Sequence, residues 1–234
     1  PLRKLFLFGC PRLEQDGQAL PLPGRKLPAL LAYLAATAQP HSRDLLATLF
    51  WPEFDQSTAR ANLRRELSGL RSILDTDQLQ IEREQVSLLR GPALGLDVAE
   101  FQTRVYECQH DWHGSQVVSG GSLALLQEAA DLYTADFLAG FTLSACPAFD
   151  EWQYFQAEGY RRTLVTVLDR LAQGYGNQNE AEAAIAQARR RLSLDPLDEA
   201  AQRQLIALYA ETGNRTAAPA APVRPAADRP GRGR

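Results

Sequence analysis

An α+β N-terminal domain followed by an all-α domain is the fold class that this 234-residue sequence predicts, and three observations carry it. Alternating apolar runs stand at the start, in LRKLFLF and on either side of Asp16-Gly17, and read as strands. Three helix-periodic segments between Leu27 and Leu74 lead into a second pair of alternating runs. Beyond Asp97 the apolar period stays near 3.6 residues, which leaves no room for a further sheet.

The N-terminal elements follow in order. Asp16-Gly17 is a hairpin pair, since glycine tolerates positive φ, and it sets Arg12–Glu14 beside Ala19–Leu22. Leu27 to Ala38 is the first helix, with Pro28 in the first turn where a missing N–H costs nothing. Its Leu30, Leu31 and Leu34 are expected to pack under a later helix. His41 reads as a surface residue. Ser42 is an N-cap and Asp44 a first-turn carboxylate favoured by the helix dipole, and Leu45, Leu46 and Leu49 form the apolar stripe of a short second helix. Trp51-Pro52 ends that helix, and Asp55 or Ser57 can cap a third.

In the third helix Ala59, Leu63, Leu67, Leu70 and Leu74 recur every three or four residues and form one buried face. The opposite face carries Thr58, Ala61, Arg65, Ser68 and Ser72, flanked by Ser57, Arg64 and Arg71. A helix made only for solubility alternates Glu and Lys to gain pairs four residues apart. Small residues and arginines instead allow close approach and supply forked donors for phosphates or guanine edges, the equipment of a helix that enters a DNA major groove. Leu79, Ile81, Val86 and Leu88 then alternate around Arg83-Glu84 as a hairpin, and helix, turn, helix, hairpin is the winged-helix order. Arg43 and Arg71 are placed for phosphate, and Arg83 at the hairpin tip for phosphate or the minor groove, although Glu82 and Glu84 beside it weaken that role.

Gly91-Pro92 to Gly95 is the expected boundary, giving domains at 1–91 and 97–213. Asp97 can cap a helix over Val98–Glu107, residues 110–122 read as a loop, and helices follow at about Leu123–Tyr133, Phe149–Gly174, Glu180–Leu192 and Leu197–Thr212. Leu168, Leu171, Ala172, Tyr175, Ala184, Ala188 and Pro196 keep tetratricopeptide spacing, which restarts with Leu205, Tyr209 and Gly213, so the second domain is a tetratricopeptide-like helical domain; Arg191 stands where a small residue is usual. Residues 214–234 are rich in proline and break the pattern, which predicts a disordered linker or an aberrant tail from truncation or a shifted reading frame. Without a partner helix, part of the Leu205, Leu208 and Tyr209 face is expected to be exposed.

Six strings and one spacing taken together resemble the antibiotic-regulatory-protein family of bacterial transcription activators, the SARP type, in which an OmpR-like winged helix precedes a bacterial transcriptional activation domain. They are LPALLAYLA at 27–35, SRDLLATLFWP at 42–52, ARANLRRELSGLRSIL at 59–74, DVAEF at 97–101, YTADFLAGF at 133–141, the Trp152 and Arg161 spacing, and LSLDPLDEAA at 192–201. Their order covers nearly all of residues 1–213. The resemblance implies a homodimer on direct repeats of double-stranded DNA and a helical domain that aids dimerisation and recruits RNA polymerase. Relatives of this kind can continue into a nucleotide-hydrolysing domain.

Composition sets the remaining bounds. Residues 1–91 hold 12 Lys+Arg and 10 Asp+Glu, net +2, and the remainder 13 and 18, net −5, a division that suits a nucleic-acid module joined to a protein-contact module. The three cysteines, Cys10, Cys108 and Cys146, lack a disulfide pattern and point to a reducing cytoplasm. No methionine occurs, so Pro1 is not expected to be an intact start, and neither a signal peptide nor a membrane span is visible. Cys108, His110 and His113 lack a fourth ligand and a zinc spacing, and no phosphate loop or nucleophile elbow is found, so neither a metal, a cofactor nor an enzyme is expected. The alternative reading is a tetratricopeptide-type interaction scaffold whose winged helix docks protein and has no DNA target.

Overall fold

The computed structural model describes residues 2–75, 77–89, 91, 93–112 and 120–211. Strand β1 (Arg3–Phe6) pairs antiparallel with β2 (Arg12–Gln15), and β2 with β3 (Gln18–Leu20). Asp16 and Gly17 turn the β2–β3 hairpin at φ 49° and 81°, the positive pair that a two-residue hairpin requires. Helix α1 (Lys26–Thr37) buries Leu27, Leu30, Leu31 and Leu34. Strand β4 (His41–Ser42), helices α2 (Arg43–Phe50) and α3 (Gln56–Ile73), and strands β5 (Leu79–Ile81) and β6 (Gln85–Leu88) complete the winged helix, with sheet order β4-β6-β5.

Helix α1 packs beneath α3, as its leucines led us to expect. Gly69 is the reason the two come so close, because a Cβ there would stand 2.8 Å from Leu27 Cδ1. His41 overturns its surface reading. It is buried, with Nε2 2.7 Å from Thr37 Oγ1 and its ring 4.9 Å from that of Tyr33, because β4 carries it under the wing to pair with Val86. Burial lowers its pKa.

Strand β7 (Leu94–Leu96) returns parallel to β1, making a four-stranded sheet of order β3-β2-β1-β7. Helix α4 (Asp97–Trp112) starts at once. Asp97 is 2% exposed, and its carboxylate accepts the N–H groups of Leu7 and Phe8, both at 2.9 Å, as well as that of Val98 at 2.8 Å. Expected as a cap before Val98, Asp97 is instead the first residue of α4, and its carboxylate ties the helix to the chain leaving β1.

Helices α5 (Gly120–Leu132), α6 (Pro147–Asn177), α7 (Ala181–Leu194) and α8 (Glu199–Glu211) follow. Helix α4 continues to Trp112 and α5 begins at Gly120, so the expected loop over 110–122 is shorter; residues 113–119, and the tail from residue 212, lie outside the described residues. One continuous core runs from the N-terminal sheet into α6, centred on contacts of Phe8 with Phe101, Tyr133 and Tyr160. A second, smaller core joins Ala172, Ala184, Ala188, Leu205, Leu208 and Tyr209. The last three were expected to be partly exposed. They are buried, because α8 turns them back onto α6 and α7, and its outward residues are Ile206 and others of that face. Arg191 replaces a small residue by bridging Asp169 at 2.5 Å and Asp198 at 2.8 Å.

Candidate nucleic-acid interface

The two helices of the interface are set by their caps. Ser42 Oγ accepts the Leu45 N–H at 3.1 Å, and Asp44 occupies the first turn of α2. Buried Leu46, Ala47 and Phe50 hold α2 on the core, while Leu45 is 46% exposed; the expected stripe of Leu45, Leu46 and Leu49 is rotated by part of a turn, since Phe50 lies one turn beyond Leu46 and takes the centre. Lys26 on α1 donates to the Phe50 carbonyl and so caps the free end of α2. Trp51 ends the helix, as its neighbour Pro52 requires.

Asp55 caps α3. One carboxylate oxygen accepts the Ser57 N–H at 3.0 Å and the Thr58 N–H at 3.1 Å, and the pair of oxygens also takes the Ser57 hydroxyl at 2.5 Å and the Thr58 hydroxyl at 2.6 Å. These bonds, the hydroxyls first, hold the Asp55 carboxyl far below its ordinary range. Ser57 and Thr58 have their O–H donors committed to the cap and offer a ligand only acceptor lone pairs.

Ala59, Leu63, Leu67, Leu70 and Leu74 are all buried, as the periodicity demanded. Ala61, Arg64, Arg65, Ser68 and Arg71 are exposed along the outer side, and Thr58 is half-buried. Among the described residues, the Arg65 and Arg71 guanidiniums make no hydrogen bond or ion pair, so their donors are open to a ligand. Among the described residues Arg64 reaches only the Arg60 carbonyl, at 3.4 Å. Arg43 is spoken for differently: its N–H bonds the Glu84 carbonyl at 2.9 Å and its guanidinium the Glu82 carbonyl at 3.2 Å, which pins the start of α2 to the wing. Arg83 is 96% exposed at the wing tip, with Glu84 at 3.6 Å.

Two residues of this surface were missed from the sequence. Arg60 pairs with Asp44 across the helix–turn–helix, and Gln56 donates to the same Asp44 oxygen at 2.6 Å. The Asp44 carboxyl is lowered by the Arg60 bond and then by Gln56. Arg60 and Arg64, one turn apart, with Arg71 beyond, make a cationic flank that ends against this carboxylate. A contact between separate helices leaves no mark in spacing along either one.

Among the described residues no cluster of His, Cys, Asp and Glu is arranged to hold a metal. Cys108 is buried and its thiol approaches the Ser122 carbonyl at 3.5 Å, while the His110 side chain and His113 lie outside the described residues. No described helix is long and apolar enough to cross a membrane.

Comparison with known proteins adds the family. No curated protein matches the chain. Mycobacterium tuberculosis EmbR, solved in complex with a low-affinity phosphopeptide, has the same fold with a TM-score of 0.66 at 21% identity; the match covers 92% of this chain and 56% of that one. The chain thus spans little more than half the length of that protein. The bacterial transcriptional activator domain matches residues 96–221, just over half of the sequence. With a winged helix ahead of that domain, the chain belongs to the bacterial transcriptional activator domain family, in the arrangement of the SARP type.

Proposed function

We propose that this protein is a cytoplasmic, sequence-specific DNA-binding activator in which residues 1–91 read double-stranded DNA and residues 97–213 contact the transcription machinery. The observation that carries the reading is the outer face of α3, where small residues surround open arginines on a helix whose other face is fully buried. Such a helix can lie in a major groove with Arg65 at its centre, Ala61 and Ser68 beside it, and Ser57 and Thr58 accepting from bases or water. Arg64 and Arg71 suit adjacent phosphates, with Arg83 reaching outward from the wing, and Arg43 serves through its hold on that wing as much as through its charge.

Binding as a homodimer on direct repeats and recruitment of RNA polymerase complete the proposal, supported by the family and by the acidic balance of the helical half. The scaffold alternative makes a different prediction. A regulator loses duplex affinity steeply with salt, and Arg64→Ala or Arg71→Ala lowers that slope by about one phosphate contact each. A chain of net charge −3 that shows no duplex affinity at low salt is a scaffold.

A further inference from the structure

The helical half exposes two adjacent aromatic rings that the fold does not use. Tyr154 and Phe155 on α6 are 61% and 60% exposed and meet edge to face at 5.7 Å. The same helix buries Phe149 completely and tucks Trp152 against the core, so aromatic residues on its inner side already have their place. Phe155 forms the lip of a groove of about 250 Å³ between α4 and α6, walled by Gln102 and Thr163 and widened at Gly159, whose missing side chain leaves open space.

The surroundings of the ring pair are acidic. Asp150 and Glu151 are exposed one turn before it, and Glu158 lies one turn after it with Arg161 on its carboxylate. From Pro147 to Tyr160 the helix holds no lysine or arginine, and Arg161 and Arg162 follow directly, so the acidic character lies on the N-terminal side of the rings. The exposed carboxylates of Asp150 and Glu151 on the N-terminal side favour a basic protein surface, and a ring pair beside a groove is the anchor type that dominates protein interfaces.

We propose that Tyr154 and Phe155 form the docking face for a basic, apolar-anchored segment of the RNA polymerase holoenzyme. The assignment rests on the activator reading and locates its contact surface. Apolar side chains of the partner enter the groove beside Phe155, while its lysines or arginines meet Asp150 and Glu151.

The test uses the full chain on a duplex that it selects, with purified RNA polymerase holoenzyme as the probe. Tyr154→Ala with Phe155→Ala, both at exposed helical positions, is expected to leave duplex affinity within about twofold and to cut polymerase capture at least about tenfold. Glu151→Lys is expected to weaken capture in the same direction. Capture equal to wild type overturns the docking face alone. Loss of dimer mass or of cooperative duplex binding in the double variant overturns it in favour of a second copy of this chain. A wild-type chain that reads its duplex yet captures no polymerase overturns the activator reading and the docking face with it.

Discussion

Asp44 on α2 holds the guanidinium of Arg60 on α3, so the first turn of one helix fixes a cation beside the face of the other. Both side chains are about half exposed, and an ion pair in that setting contributes little to stability. Its effect falls on where Arg60 points. Asp44→Asn is therefore expected to leave the melting temperature nearly unchanged and, on the proposed docking of α3, to raise affinity for nonspecific duplex by removing a negative charge from the cationic flank. Competition binding against nonspecific DNA checks this, and an unchanged nonspecific affinity would place the pair away from the duplex.

The Asp55 cap organises the start of α3 through four bonds. Asp55→Ala frees the N–H groups of Ser57 and Thr58 and releases their hydroxyls, so the first turn frays. The expected result is a lower melting temperature together with weaker selective binding, with Asp55→Asn milder on both. Because the folded carboxyl sits well below its ordinary value, the cap's contribution is complete above that ordinary range and fades as pH falls through the depressed folded value. Amide exchange at Ser57 and Thr58 reports it directly.

His41 brings a pH dependence nearer neutrality. Burial lowers its pKa, so the unfolded chain takes up a proton at a higher pH than the folded one. Its stabilising contribution is whole above the ordinary value of about 6.5 and is lost as pH falls from there toward the lowered folded value. The denaturant midpoint should drop between pH 7 and pH 5.5, and His41→Gln should flatten that drop.

Asp97 satisfies three buried N–H groups at the passage from the winged helix into α4. Asp97→Ala leaves them unpaired, at a cost on the order of 3 kcal/mol, and Asp97→Asn recovers only part because its amide turns a donor toward a donor. One continuous core spans both halves, so the loss is expected as a single shifted unfolding transition.

The parts of the fold that could be read in advance are those with a repeating physical signal. The leucines of α3 from Leu63 to Leu70 with Leu74 at its end, the Asp16-Gly17 turn, the wing around Arg83-Glu84 and the packed alanines Ala184 and Ala188 each follow a period or a φ requirement. Strands β4 and β7 were invisible because each is short and pairs with a strand far along the chain, β6 and β1, with no hairpin turn to announce it. The burial of His41 and of Leu208 depends on partners distant in the chain, Val86 for one and the α6 helix at Gly176 for the other. The exposed face of the candidate interface was legible to the same extent. Arg65 and its small neighbours declared themselves by their angle from the leucines, whereas Arg60 depends on an acid sixteen residues earlier and in another helix.

The central claim is that the outer face of α3 reads base sequence, and selection from randomised duplexes with wild type and Arg65→Ala side by side tests it most directly. Wild type should enrich one repeated half-site, and Arg65→Ala should lose preference at a single position within it, by about 1–3 kcal/mol for a bidentate contact, while keeping the rest. Enrichment of the same site with equal discrimination by both proteins, or no enrichment by either at low salt, would contradict the account.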